Sequence, residues 1–372
     1  MQIEPHQLAS EWLSKAPKIL EPILLALPDA YYAIHVSDNA LRVELAHYFR
    51  SVVVSHSASA VSRNAVPIYV IDMPDFSWDA DWKNWQREPG KSGRKDAYLD
   101  IDGGRIIYKV RTGMVFLQSM SNKVAIGPAK ANVNQVINFI NNQYMNHLQQ
   151  QGWLICHAAA LTWYDKGIAL AGFSGGGKST SMLHLMADDA TKFVSNDRLF
   201  VKCINGKVMM RGVPKMPRVN PGTLLNNPKL LSLLTNEEKA RYTSLSKSEL
   251  LELEQKYDVD IESVYGADRI VYESELTHFV VLNWSHRNTS PMQIENVYST
   301  ELAQHVPPIQ KSPGPFYQNE SGEFLSDPTP PATSRYVDFL ENISVLKTTR
   351  QADFAGLFHQ LGERLFQHGK DT

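Results

Sequence analysis

Apolar positions fall at loosely helical spacing at the start of the chain, where Leu8, Trp12, Ile19, Ile23 and Leu27 predict helix over residues 1–30. Strand-like stretches follow at 31–36, 51–56 and 67–71. Alternation over 106–111 and 114–120, around Thr112 and Gly113, predicts a hairpin. Val136, Ile140, Tyr144 and Leu148 recur every fourth position and predict a helix over 134–151. Trp78, Trp82 and Trp85 also lie at helical spacing, among aspartates, and suit packing better than a ligand cage.

The pattern then changes. Residues 153–156 and 167–171 are short apolar runs suited to buried strands, 179–187 reads as a helix, and 192–195 as another strand. Strand, glycine loop, helix, strand is an α/β pattern. Residues 221–265 read as mostly helical, with capping boxes at Thr235 with Glu238 and Ser246 with Glu249. A strand returns at 278–284. Seven of the chain's 20 prolines fall in 307–331, which predicts an irregular or extended segment. Residues 352–368 predict an amphipathic helix with Phe354, Leu357, Leu361 and Leu365 on one face. The expected organisation is a smaller α+β N-terminal domain over 1–130 and an α/β domain over 131–372. The second domain carries a helical insertion at 221–265 and the proline-rich segment.

Composition narrows the function. A chain of 372 residues, 43% hydrophobic and 20% charged, can bury large cores and is not globally disordered. Its 37 basic residues balance 39 acidic ones, which argues against a general nucleic-acid coat. Cys156 and Cys203 cannot build a disulfide framework or a four-cysteine zinc site. The apolar run 19–27 is broken by Pro22, closed by Pro28 and too short to span a membrane. These features predict a cytoplasmic protein with neither nucleic-acid nor membrane partners; an oligomer is compatible with them.

Gly172, Phe173, Ser174, Gly175, Gly176, Gly177, Lys178 and Ser179 match the full G-x-x-x-x-G-K-[ST] phosphate-loop pattern, and Thr180 follows in the helix. Glycines let successive backbone N–H groups point into one concavity around phosphate oxygens, and the helix adds its positive end. Lys178 is expected to reach the β- and γ-phosphates and Ser179 to bind Mg²⁺. The metal needs a second oxygen ligand. Asp197, 19 residues past Lys178 at the end of an apolar strand, is the candidate, against a plain turn or cap aspartate. Asn122-Lys123-Val124-Ala125 fails the guanine-recognition pattern at its last position. The transport-ATPase signature and an Asp-Glu pair after the second strand are also missing, which favours phosphoryl transfer to a hydroxyl over a motor. His157 follows the stretch 153–156, expected to run parallel beside the phosphate-loop strand. Such a histidine is commonly structural, but it could also orient or deprotonate an incoming hydroxyl.

Together, His157-Ala158, the strand 168–171, the glycine loop and Ser195-Asn196-Asp197 resemble the catalytic domain of HPr kinase/phosphorylase. In overall arrangement they are similar to the HPr-kinase-related group called kinase B, with Gln151-Gly152-Trp153 and Gly212-Val213-Pro214 adding to the likeness. The resemblance is specific over residues 150–220. It implies a P-loop kinase domain of the HPr-kinase type, using ATP and Mg²⁺ to phosphorylate a protein serine or a small hydroxylated metabolite. It also supports His157 as an active-site residue. Two positions depart from the family. Its first acid, the usual proton acceptor, aligns with Asn196, and its Glu-Val-Arg-Gly signature becomes Met209-Met210-Arg211-Gly212. An amide cannot take a proton at neutral pH, so the proton goes to His157 or Asp197, or little base help is needed, and phosphorolysis is put in doubt.

Seven basic residues and no acid lie between Asp197 and Glu237. Of these, Arg211, Lys215 and Arg218 flank Pro214 and Pro217 and are the candidate phosphate clamp. Arg269 and Arg287 are weaker candidates for a transition-state arginine. The sequence therefore predicts an ATP-dependent kinase acting on a hydroxyl. The alternative is a nucleotide-binding regulatory or scaffold protein with little or no turnover.

Overall fold

Five apolar residues between two prolines, Ile23–Leu27, form a strand rather than the end of a helix. Pro28 stops the run and Asp29 turns it at φ 61°, so Leu27 pairs with Ala30 in a tight hairpin. Helix is confined at this end to Pro5–Lys15, which begins on a proline and buries Leu8, Ala9 and Trp12. The computed structural model describes residues 4–55, 64–87, 93–246, 249, 250, 253, 255–285 and 287–366.

The chain forms two compact units, residues 1–153 with 312–330, and 154–311 with 331–372. The division therefore falls after Trp153, not at 130, and most of the proline-rich segment goes with the first unit. The reason is packing. Phe316 lies against Phe116 and Phe139, with ring centroids 5.4 and 5.6 Å away. Asn146 Nδ2 donates to the Phe316 carbonyl (2.7 Å), and Gln150 Nε2 to that of Gln318 (2.8 Å).

The first unit is built on a nine-stranded mixed sheet. Its order is Val53–Val54, Ile23–Leu27, Ala30–Val36, Val66–Asp72, Lys123–Gly127, Val115–Ser119, Gly104–Lys109, Asp96–Ile101 and Lys83–Asn84. The expected hairpin is the pair Gly104–Lys109 and Val115–Ser119. The stretch expected as a strand at 51–56 is reduced to Val53–Val54, and its last residue, 56, lies outside the described residues. The helix Val133–Gln150 follows its four-residue spacing. A helix at Asn39–Tyr48, capped by the Asp38 carboxylate on the Leu41 N–H, carries too weak an apolar stripe to be anticipated. The tryptophans do pack, but on no helix: Trp78 lies edge-on to Trp12 and Trp82, and Trp85 to Tyr98.

The second unit holds a six-stranded mixed sheet in the order Thr191–Ser195, Ala158–Trp163, Lys166–Ala171, His278–Leu282, Ser344–Thr349 and Gln293–Asn296. Side chains alternate between its faces. Ile168 and Leu170 join a core with Met182 and Leu183 of the helix Lys178–Leu185 and Leu357 and Leu361 of the helix Phe354–Phe366. Ala169 and Ala171 face the other way, toward a core with Phe279, Val345, Tyr336 and Phe339. Each large apolar side chain so buried contributes about 1.5–3 kcal/mol.

A second, four-stranded sheet runs Leu154–Cys156, Leu199–Ile204, Lys207–Arg211 and Glu273–Glu275. This corrects the expected pairing. Leu154–Cys156 does not lie beside the phosphate-loop strand; it pairs antiparallel with Leu199–Ile204. The neighbours of Lys166–Ala171 are Ala158–Trp163, antiparallel, and His278–Leu282, parallel. Among the described residues, 221–265 are mostly helical as expected, but in short pieces rather than one run. Prolines and the capping residues Asn220, Asn227, Thr235 and Asp260 begin pieces that include Pro221–Leu225, a 3-10 turn at Pro228–Leu233, Asn236–Thr243 and Ile261–Tyr265. Both capping boxes form: Glu238 N–H donates to Thr235 Oγ1 (3.1 Å) and Glu249 N–H to Ser246 Oγ (3.3 Å), and each glutamate accepts from its partner's N–H.

Candidate functional site

Register brings the chemistry to one edge. Ala158 pairs with Ala171, so His157 lies just beyond the carboxyl end of the phosphate-loop strand. Thr191–Ser195 is antiparallel to Ala158–Trp163 and so runs in the same direction as Lys166–Ala171. Asn196 and Asp197 leave from that same edge. His157 thus reaches the expected place from an antiparallel strand rather than a parallel one.

The glycine loop closes on itself. Gly175 and Gly177 take φ of 78° and 89°, a region where a side chain strains the backbone. A Cβ on Gly177 would also stand 2.9 Å from the Phe354 ring. Gly176 N–H donates to the Phe173 carbonyl (2.9 Å), and the Trp284 indole N–H donates to the Gly176 carbonyl (3.0 Å). Lys178 Nζ spans the loop to the Gly172 carbonyl at 2.7 Å. Burial pushes this ammonium down to about 8, although Asp197 pulls it the other way. Phe173 is exposed at the loop surface. Thr180 Oγ1 shares a hydrogen bond with Thr223 Oγ1 (2.9 Å), tying the helix to Pro221–Leu225.

Asp197 sits among cations. Its Oδ1 is 3.3 Å from His157 Nε2 and its Oδ2 3.8 Å from Lys311 Nζ. Burial acts to raise its pKa, but the His157 hydrogen bond and the Lys311 and Arg198 charges outweigh it. The carboxyl is held well below the usual range. Its side chain remains 42% exposed, so the carboxylate is open to a ligand. Beside it the Asn196 amide oxygen is buried without a hydrogen-bond partner, and an orphaned acceptor of that kind is costly unless something donates to it or coordinates it.

These residues open on a cleft of about 1370 Å³. Ser174 to Thr180, His157 and Asn196 to Arg198 form one side. Lys215, Arg218, Asn220 and Thr223 form another, with Lys239, Tyr242, Lys256 and Asp353 to Ala355 completing it. The loop carrying Lys215 is held close to the sheet, since a Cβ on Gly212 would stand 1.8 Å from the Val194 carbonyl oxygen. Burial and the neighbouring Arg198 charge push the Lys215 ammonium down to about 7.

Three predicted arginines are elsewhere. Arg211 does not line the cleft; it is buried in an ion pair with Glu273. Arg269 is buried and holds the chain together, donating to the carbonyls of Met186, Asp188, Thr191 and Tyr265. Arg287 is exposed and does not line the cleft. Lys215 and Arg218 do line it, Arg218 being oriented by Asp258 at 3.0 Å. Sequence reasoning missed Lys311, whose place beside Asp197 has no local signal. It also missed Trp284 and Phe354, which brace the glycine loop.

No protein-family model and no curated protein matches the chain. Among solved structures, the HPr(Ser) kinase/phosphatase from Coxiella burnetii is matched at 13% identity. The match covers 58% of this chain and 99% of that one, with a TM-score of 0.29. At that level of overlap the functional reading rests on the geometry of the site itself. Among the described residues no helix is long and apolar enough to cross a membrane.

Proposed function

We propose that this chain is an ATP-dependent kinase that transfers the γ-phosphoryl group to the hydroxyl of a protein Ser/Thr or a small metabolite. The observation that carries this reading is the meeting, at one sheet edge, of a loop that matches the full phosphate-loop sequence pattern with the His157–Asp197 pair. Residues 172–180 would cradle the nucleotide phosphates, with Lys178 as the cation across them. The residues present also fit Mg²⁺. The Ser179 hydroxyl, the ionised Asp197 carboxylate and the orphaned Asn196 amide oxygen are all hard oxygen donors. Magnesium in such sites takes one or two carboxylates together with substrate phosphates rather than a protein cage. When bound there it neutralises charge on the phosphate oxygens.

In the transfer, the acceptor oxygen forms a bond to the γ-phosphorus as the bond to the β,γ-bridging oxygen breaks and ADP leaves. The hydroxyl proton needs a destination. A carboxyl held as low as Asp197 is a weak proton acceptor, and Asn196 is none, so the role falls to His157, with Asp197 orienting its ring. Incubation with γ-labelled ATP and a lysate of the source cell, separated into protein and metabolite fractions, tests this. Labelled product that depends on Lys178 supports the kinase.

The alternative, a nucleotide-binding regulatory protein with little turnover, draws on two observations: Asn196 where a proton acceptor is usual, and both Asp197 oxygens facing cationic or protonatable partners. Nucleotide binding without consumption in any lysate fraction would favour it.

A further inference from the structure

The cleft is more cationic than a nucleotide on the glycine loop requires. Lys178, Arg198, Lys215, Arg218, Lys239 and Lys256 line it, against the carboxylates of Asp197 and Asp353. Only Lys178 belongs to the phosphate loop. Lys215 and Arg218 stand on a different segment, braced by Pro214, Pro217 and the close approach of Gly212 to Val194. The Pro217 carbonyl accepts from the Val259 N–H at 2.8 Å, and Asp258 holds the Arg218 guanidinium. These two cations are therefore positioned rather than free surface charges. The cleft volume of about 1370 Å³ also exceeds the roughly 300–1,000 Å³ of an ordinary small-ligand site. It has room for a nucleotide and a second small molecule together.

We infer that the acceptor is a small hydroxylated molecule that already carries a phosphate monoester, and that Lys215 and Arg218 clamp that phosphate beside Asp197. The inference deepens the kinase reading and rests on it. A planar guanidinium offers a fork of donors that fits phosphate, and an adjacent ammonium adds a point charge. Burial and the charges of Arg198, Arg218 and Lys311 disfavour the Lys215 ammonium, Asp197 offsets them in part, and a phosphate seated beside it would offset them further. A concave array of two positioned cations, one half-buried and one exposed at the cleft wall, fits the compact charge of a phosphate monoester. Glu273 and Glu275 pair with Arg211 and Lys207 in the neighbouring sheet, while at the clamp Asp258 engages Arg218 through Nε and offsets part of its charge.

The test is calorimetric, on the full chain saturated with Mg²⁺ and the non-hydrolysable β,γ-imido analogue of ATP, which fills the γ-phosphate position. Glycerol phosphate is then titrated in. The expected result is saturable binding, weakened at least tenfold by Lys215→Met and by Arg218→Gln, while affinity for the ATP analogue changes less than threefold. Should Lys215→Met fail to fold, the exposed Arg218→Gln decides. Failure of the analogue to bind the wild-type protein would overturn the kinase reading itself. Analogue binding with no second anion site, or one indifferent to both substitutions, would overturn the clamp alone. Poly-glutamate binding to the same two residues more tightly than glycerol phosphate would overturn it in favour of an acidic protein acceptor.

Discussion

His157 Nε2 lies 3.3 Å from Oδ1 of Asp197, although His157 sits at the junction of two sheets and Asp197 follows the edge strand Thr191–Ser195. The strand after His157, Ala158–Trp163, pairs directly with Thr191–Ser195, the strand before Asp197, so the contact reports that pairing. It also divides labour. The pairing holds the carboxylate ionised and holds the ring at the cleft wall.

His157→Ala is expected to lower phosphotransfer by about 10²–10⁴-fold, with affinity for ATP changed by less than about tenfold. Turnover and melting temperature are measured on one preparation. A protein that melts earlier yet keeps full specific activity would show the ring to be packing only.

Asp197→Asn should remove Mg²⁺-dependent turnover while leaving the fold intact by circular dichroism. The amide keeps the shape but loses the charge that faces His157 and Lys311 and that would hold the metal. Undiminished Mg²⁺-dependent turnover would mean that another group holds the metal.

The depressed Lys178 ammonium sets a pH dependence. Free Lys178 titrates near 8, and a bound triphosphate favours its charged form. Below pH 8 the lysine is already charged and binding takes up little proton. Above pH 8 binding must recruit a proton, so affinity falls as pH rises. Calorimetry at pH 8.5 in buffers of different ionisation enthalpy should show proton uptake that Lys178→Met abolishes. Equal affinity at pH 7 and pH 9 would contradict the assignment.

Gly212→Ala places a methyl group 1.8 Å from the Val194 carbonyl oxygen, which is backbone and cannot swing aside. A loss of about 1–3 kcal/mol in denaturant unfolding is expected, as in other overpacked sites. An unchanged midpoint would show that the loop bearing Lys215 is not held against the strand.

The glycine loop was legible because its chemistry is local: glycines that permit the turn, a lysine and a hydroxyl lie within eight consecutive positions. Asp197 was legible as the end of an apolar run. The place of His157 was anticipated on a wrong pairing, because which strand lies beside which depends on distant partners. Ile23–Leu27 illustrates a different limit, since a short apolar run fits helix and strand equally well until its neighbours are known. Charge alone misled at Arg211 and Arg269. The first pairs with Glu273 in the next strand, and the second satisfies carbonyls around Tyr265 and Thr191. Lys311 reaches Asp197 only through the folding of the intervening sheets, so nothing near it in the chain announces the contact.

The most direct test of the account is transfer of the γ-phosphoryl group from labelled ATP in the presence of Mg²⁺ and a lysate of the source cell, comparing the wild-type chain with Lys178→Ala. The account predicts label in a discrete hydroxyl-bearing product with the wild-type chain and none above background with Lys178→Ala. Equal labelling by the two proteins, or nucleotide binding with no labelled product in any fraction, would contradict it.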